Sequence, residues 1–152
     1  MHFLYPIANP ARPRITLIFL ALVACLLTSQ RALAYTLTCD VQGSFPEMDK
    51  ISVEPASVKV DITSIGDHLY IKMDGPKLYT FFVNTLRTAE FEGMDLTSKT
   101  SLWVKRKNLQ TMEESEIKIN REPVNIKAIK DVQRYGKKLK FFVTGPCQLP
   151  PG

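Results

Sequence analysis

Histidine is nearly missing from this chain, because only His2 and His68 occur among its 152 residues. His68 alone lies outside the N-terminal 34 residues, which excludes metal sites built from several histidines and leaves one candidate general base. No serine or cysteine nucleophile stands near it in a recognisable motif. Glycine-rich phosphate loops, Cys-x-x-Cys pairs and nucleotide fingerprints are missing as well. The sequence therefore indicates no catalytic, cofactor-binding or metal site, and we predict that the protein is not an enzyme.

Apolar runs long enough to cross a membrane are also lacking. The uncharged run Ile15–Leu27 has thirteen residues, whereas a membrane-spanning helix needs about 20. It follows Arg12 and Arg14 and precedes Ala32–Ala34, whose small residues suit cleavage by a signal peptidase. We therefore predict a signal peptide over residues 1–34 and a mature chain of 118 residues that is periplasmic or secreted.

A second interpretation of this segment is lipidation. The residues Leu22–Cys25 resemble the lipobox of bacterial lipoproteins, in which the cysteine carries the lipid. Leu26 and Leu27 continue the apolar run past Cys25, where lipoproteins usually turn polar. This favours soluble export, with an outer-membrane lipoprotein anchored at Cys25 as the alternative.

A strong excess of one charge is lacking once the signal is removed. The full chain carries a net charge of +5, but Arg12, Arg14 and Arg31 lie in the predicted signal. The remaining 17 basic and 15 acidic residues leave a net charge of +2. Because nucleic-acid-binding proteins usually show a one-faced basic excess, this balance disfavours nucleic acid as a partner.

Two cysteines remain in the predicted mature chain, Cys39 near its start and Cys147 near its end. In a protein addressed to an oxidising compartment they are expected to form an intramolecular disulfide. The bond would join the first strand to the last.

Alternation of apolar and polar residues dominates the mature chain, as where Val58, Val60 and Ile62 alternate with Lys59 and Asp61. This pattern is typical of strands with one buried face. Turn residues such as glycine and proline separate the stretches. The predicted strands are Thr36–Val41, Val58–Ile62, His68–Asp74, Leu78–Asn84, Leu86–Glu92, Ser101–Arg106, Glu116–Asn120, Val124–Lys130 and Lys137–Thr144.

Eight or nine short strands predict one all-β domain over residues 35–152. We expect a small antiparallel meander barrel of about eight strands, with a two-sheet β-sandwich as the alternative. The inward residues are mostly medium-sized aliphatics, which favours a filled core with at most a small pocket.

Three segments are less regular. Leu78–Glu92 also has apolar residues at helical spacing, but its β-branched and aromatic residues favour strand. We expect one helical turn within Ser44–Asp49 and a polar loop over Asn108–Ser115. Residues 51–76 are partly matched by residues 119–146, which suggests either an internal repeat or the general similarity of two hairpins.

Candidate contact residues come from the aromatic and basic side chains. Trp103 stands next to Lys105 and Lys107, and Tyr70 and Tyr79 lie on strands predicted to have one exposed face. Exposed aromatics beside cations are frequent anchors for a partner. Successive strand residues point to opposite faces, so the consecutive basic residues cannot all lie on one face. The alternative interpretation is that these side chains form an ordinary solvated surface with no partner.

The segment Tyr35–Cys39, a late Cys147 and a small β-rich exported chain resemble the framework of periplasmic lysozyme-inhibitor barrels and other lipocalin-like, or calycin-like, domains. The resemblance covers the two ends of the chain and implies a barrel that binds. It supplies no functional residues, because the inhibitory loop motifs of those proteins are not present.

These observations lead to three functional hypotheses. The first is a non-enzymatic envelope protein, such as an inhibitor, that binds a partner protein or another cell-envelope component. The second is a carrier that holds a small apolar ligand inside the barrel, which requires an internal void. The third is a hydrolase that uses His68.

Overall fold

The computed structural model of the protein describes residues 33–48, 51–134 and 136–149. Strands account for most of this part of the chain. The nine strands are β1 (Leu33–Phe45), β2 (Ile51–Ile65), β3 (His68–Asp74), β4 (Phe81–Asn84), β5 (Phe91–Asp95), β6 (Ser101–Asn108), β7 (Glu114–Arg121), β8 (Val124–Arg134) and β9 (Lys137–Gln148).

All nine strands belong to one antiparallel sheet with the order β4-β3-β2-β1-β9-β8-β7-β6-β5. It consists of two meanders, β1 to β4 and β5 to β9, which are joined where β1 pairs with β9. The sheet curves into a nearly closed barrel. The predicted all-β meander barrel is therefore confirmed, and the barrel is preferred over the two-sheet sandwich.

The predicted disulfide is also confirmed. Cys39 on β1 lies directly opposite Cys147 on β9, and their sulfur atoms are bonded. The bond lies at the junction of the two meanders. It links β1, the first strand along the chain, to β9, the last.

Strand alternation sets the inside and the outside of the barrel. Val58, Val60 and Ile62 on β2 are buried on the inner face, whereas Lys59 between them is exposed. The β2–β3 and β8–β9 hairpins turn at Gly66 and Gly136, whose φ angles are 61° and 71°. Glycine occupies this left-handed region without steric cost, so both tight turns depend on it.

Three aromatic side chains form the centre of the core. The Phe141 ring lies 4.9 Å from the Phe45 ring and 5.5 Å from the Tyr79 ring, measured between centroids. All three side chains are almost completely buried. Gly43 on β1 makes room for them, because a Cβ atom there would lie 2.5 Å from Phe141 Cζ.

The sheet ends β4 and β5 form no hydrogen-bonded ladder with each other in the described residues. We call this gap the seam. Arg106 lies in it, with its guanidinium carbon 3.8 Å from the centroid of Phe91 and 5.8 Å from that of Phe82. Gly93 permits close approach, since a Cβ atom there would lie 2.5 Å from the carbonyl oxygen of Asn84. Aromatic stacking and one glycine thus replace backbone pairing at the seam.

The structure differs from the predicted strands mainly around the seam. Residues Lys77–Tyr79 form a 3-10 turn rather than strand, and residues 85–90 are not strand at all. The Thr85 amide still donates to Leu69, whereas the Glu90 carbonyl accepts from Leu109, so the segment changes neighbours along its length. The strand predicted over Leu86–Glu92 therefore begins five residues later, at Phe91.

The helical turn expected within Ser44–Asp49 is a hydrogen-bonded turn in which the Met48 amide donates to the Phe45 carbonyl. Of the possible repeat, only the second half has matching structure. Leu69 to Met73 and Leu139 to Val143 both follow a glycine turn with alternate residues inward. Pro55 lies within β2, however, whereas Pro123 lies in the β7–β8 turn.

Most of the predicted signal peptide, residues 1–34, lies outside the described residues, which begin at Leu33. The alternative lipidation site, Cys25, also lies outside them. Over the described ranges, no helix combines the length and apolar character that a membrane span requires.

Candidate functional site

The predicted contact residues of β6 divide between the two faces of the barrel. Trp103, Lys105 and Lys107 alternate with the buried Val104 and point outward, whereas Arg106 points inward with Val104. The expectation that the basic run would not share one face is confirmed. The outward residues are part of a larger surface on β6 to β9.

Two lysines face each other at the centre of that surface. Strand register places Lys118 on β7 directly opposite Lys127 on β8, and Trp103 lies opposite Lys118 on the other side. Neither lysine forms an ion pair with any described carboxylate, and Lys118 Nζ lies 4.5 Å from the centroid of Trp103. Like charges directly opposite each other on adjacent strands are destabilising.

The adjoining row holds the tryptophan in place. Glu116 accepts a hydrogen bond from Trp103 Nε1 at 2.8 Å and pairs with Lys105 at 2.9 Å. In the same row Ile129 and Phe142 are half-buried on the outside of β8 and β9. We call the surface formed by these side chains the outer β6–β9 face; its members are Trp103, Lys105, Glu116, Lys118, Lys127, Ile129 and Phe142.

The lysines at the neighbouring end of these strands are paired with carboxylates. Lys107 lies 3.9 Å from Glu114, and Asp131 lies within 3.5 Å of Lys138 and Lys140. Burial raises the pKa of Asp131, but the Glu114 amide and the two lysines outweigh this effect and keep its pKa below the usual value. Among the outward-pointing lysines of β6 to β9, Lys118 and Lys127 are therefore the two without a described carboxylate partner.

The two predicted tyrosine contacts lie elsewhere. Tyr70 is half-buried on β3 and stacks on the exposed ring of Phe82, with 6.4 Å between centroids. Tyr79 is only 2% exposed, and its hydroxyl accepts from the Gly43 amide and donates to the Glu54 carbonyl. Tyr79 therefore does not lie on the exposed face expected from the sequence, because the 3-10 turn that carries it directs the ring into the core.

His68 lies at the start of β3, half-buried, with Nε2 3.5 Å from Asp67 Oδ1. An open cleft of about 640 Å³ adjoins it at the seam and is also bordered by Arg87, Met94 and Leu96. No serine or cysteine side chain bonds to His68 in the part of the chain that the structure describes. A hydrolytic role for His68 stays a prediction, and no contact among the described residues supports it.

A second group of cations faces the inside of the barrel. Arg106, Ser115 and Lys130 lie side by side in one row of β6, β7 and β8. Lys130 Nζ donates to the Thr80 carbonyl at 2.8 Å and lies 4.4 Å from the centroid of Phe81. Sequence reasoning missed this row, because its members are far apart in the chain.

Burial lowers the pKa of Lys130 to about 8, since the charged ammonium loses solvent there. In the unfolded chain this lysine has the ordinary pKa of 10.5 and stays protonated up to that pH. The unfolded state therefore binds more protons between about pH 8 and pH 10.5, and stability should rise with pH across that window.

The full pKa difference corresponds to about 3 kcal/mol, which we reduce to about 1 kcal/mol because the side chain is only half-buried and partly screened. Thr80 and Phe81 contact the ammonium, and Ser115 and Phe141 are the neighbours of Lys130 on the adjacent strands. Urea unfolding of the wild type and Lys130→Met at pH 7 and pH 10 measures the effect. The alkaline gain should be smaller in the variant; an equal gain in both proteins would contradict the assignment to Lys130.

Among the described residues, no group of three or more histidine, cysteine, aspartate or glutamate side chains could hold a metal ion. Comparison with protein-family models, with curated proteins and with solved structures finds no match for this chain.

Proposed function

We propose that the protein is an exported, non-enzymatic binding module that contacts an acidic partner in the cell envelope through the outer β6–β9 face. The observation that carries the proposal is the opposed pair Lys118 and Lys127 beside Trp103. Export is supported by the signal-like N-terminus and by the Cys39–Cys147 disulfide, which is compatible with an oxidising compartment.

The opposed lysines favour a binding role because they oppose folding. A glutamate at either position would convert a repulsive cross-strand pair into an attractive one, a difference of about 0.2 to 1 kcal/mol. An acidic partner would remove the repulsion on binding, so the pair would contribute to affinity and to partner choice. The half-buried Trp103, Ile129 and Phe142 next to it supply apolar contact area of the kind found at the centre of interfaces.

A charge-reversal experiment tests this proposal. The variant Lys118→Glu/Lys127→Glu keeps one like-charge pair and inverts its sign, so its stability should match that of the wild type within about 0.5 kcal/mol. We expect an acidic envelope partner captured by the wild type to be retained at least tenfold less by this variant. Quantitative mass spectrometry of proteins captured from an envelope extract measures the retention.

The matched control reverses Lys77 and Lys99, two exposed lysines away from the outer β6–β9 face that form no ion pair with a described carboxylate. This control should retain the partner and should show the same salt dependence as the wild type. If both double variants retain every captured protein equally, the outer β6–β9 face is not the contact surface and the proposal fails.

A further inference from the structure

In the inner row, Arg106 lies on one side of Ser115 and Lys130 on the other, so one cation flanks the serine on each side. Ser115 pairs with Arg106 on one side and with Lys130 on the other. Adjacent strands are about 4.8 Å apart, so the two basic residues start about 10 Å apart on the concave side of the sheet. Both side chains reach β4, where the Arg106 guanidinium carbon lies 5.8 Å from the centroid of Phe82 and Lys130 Nζ lies 4.4 Å from that of Phe81.

No described carboxylate shares this row. The acidic residues nearest in sequence are Glu114, Glu116 and Asp131, and each of them is displaced by one position from a member of the row. Strand alternation places all three on the outer side, where they pair with lysines. The inner row therefore carries positive charge without an acidic neighbour among the described residues.

The row also has hydrogen-bond donors to spare. Arg106 Nε is buried and has no hydrogen-bond partner in the described part of the molecule. Lys130 uses one donor on Thr80, which leaves two, and its ammonium has no ion pair within the described ranges. Buried donors without acceptors are costly, so an acceptor bound here would be favourable.

Solvent can reach the row from outside. All three residues are half-buried rather than fully buried, so part of each side chain keeps contact with solvent.

We infer that the row of Arg106, Ser115 and Lys130 is a site for a phosphate group. A guanidinium, a hydroxyl and an ammonium can donate to separate oxygens of a tetrahedral anion, and arginine suits such oxygens because it donates in a fork. The same chemistry fits free inorganic phosphate and a phosphate monoester at the end of a larger envelope molecule. The site lies on the inner face and is independent of the outer β6–β9 face.

Phosphate titration of the full chain tests the inference. Binding is measured at pH 7 by phosphorus NMR and by the melting temperature, with chloride added to keep the ionic strength constant. We expect a saturable rise in melting temperature with inorganic phosphate but not with chloride. Affinity should fall at least tenfold in Lys130→Met and should weaken above about pH 8, as Lys130 loses its proton.

The control is Lys99→Met, which removes an exposed lysine from the β5–β6 turn, outside both proposed sites, and should bind phosphate like the wild type. Arg106→Met is the second test variant, but Arg106 also packs in the seam, so Ser115→Ala accompanies it. Titration with glycerol 3-phosphate distinguishes free phosphate from a phosphate monoester as the ligand. If glycerol 3-phosphate binds more tightly than inorganic phosphate, the ligand is an ester. Equal stabilisation by chloride and phosphate, or equal phosphate affinity in Lys130→Met and Lys99→Met, would overturn the inference.

Discussion

Replacing both Cys39 and Cys147 with serine is expected to lower the free energy of unfolding by about 4 to 5 kcal/mol. The two cysteines are 108 positions apart in sequence, so their bond closes a loop that contains almost the whole domain. In chain-entropy terms, a loop of this length restricts the unfolded chain strongly. Such a loss is a large fraction of the roughly 5 to 15 kcal/mol that stabilises a typical domain.

The position of the disulfide makes the loss hard to compensate. The bond lies where the two meanders meet, and the β1–β9 ladder has an interruption between the Cys39–Cys147 and Gln42–Thr144 pairs, with the same register on both sides. At the interruption Gly145 lies against the backbone of Asp40 and Val41, where a side chain would not fit. The covalent bond therefore holds a junction that has fewer regular hydrogen bonds than the other central ladders.

Urea unfolding of the serine double variant and of the oxidised wild type measures the difference. Wild type unfolded in the presence of a reductant is the control, because it breaks the bond without placing two hydroxyls at buried positions. Both should lose several kcal/mol. A loss below about 2 kcal/mol in both would mean that the junction is held by the ladder and the core rather than by the disulfide.

Much of the fold could be predicted from the sequence because most of its strands have one buried, apolar face and one polar face. Val58, Val60 and Ile62 alternate with polar residues, and only one register of β2 buries all three. The inside and outside of most strands therefore follow directly from the sequence. The disulfide could be predicted for a different reason, namely that the two cysteines outside the predicted signal peptide leave one possible pairing.

The seam could not be predicted in this way. Residues 85–90 belong mostly to a segment whose β-branched and aromatic residues favour strand, yet they lie in a gap where Thr85 bonds to Leu69 and Glu90 bonds to Leu109. Which segment completes a closing barrel depends on how the remaining strands tilt and stagger, and local pattern does not contain that information. For the same reason, the stacking of Arg106 on Phe91 in this gap could not be predicted from the sequence.

The opposed lysines of the candidate site could have been found from the sequence. The turn at Glu122 and Pro123 fixes the β7–β8 register, and counting outward from it pairs Lys118 with Lys127. That count requires the turn position to be fixed to one residue, since a shift by one changes every pair and every face. Hairpin turns are therefore the feature of this sequence that locates its surface charges relative to each other.

Substitution of Tyr79 by alanine is expected to lower the free energy of unfolding by about 4 kcal/mol or more. Removing a buried aromatic ring usually costs about 3 to 5 kcal/mol, and here the ring packs edge-on against Phe141. The hydroxyl adds to this, because its loss leaves the buried Gly43 amide without its acceptor at 2.9 Å and the Glu54 carbonyl without its donor at 2.7 Å. Burial also raises the pKa of Tyr79, so the hydroxyl remains a donor throughout the neutral range.

Tyr79→Phe separates the two contributions, since it keeps the ring and removes only the hydroxyl. It should cost about 1 to 3 kcal/mol, the usual penalty for unsatisfied buried hydrogen-bonding groups. Tyr70→Phe is the matched control, because Tyr70 is half-buried on the outer side of β3 and should change stability by less than about 0.5 kcal/mol. Urea unfolding of the three variants gives the ranking. If Tyr79→Ala unfolded like the wild type but lost a partner, Tyr79 would be a contact residue, and its packing against Phe141 would not exist in solution.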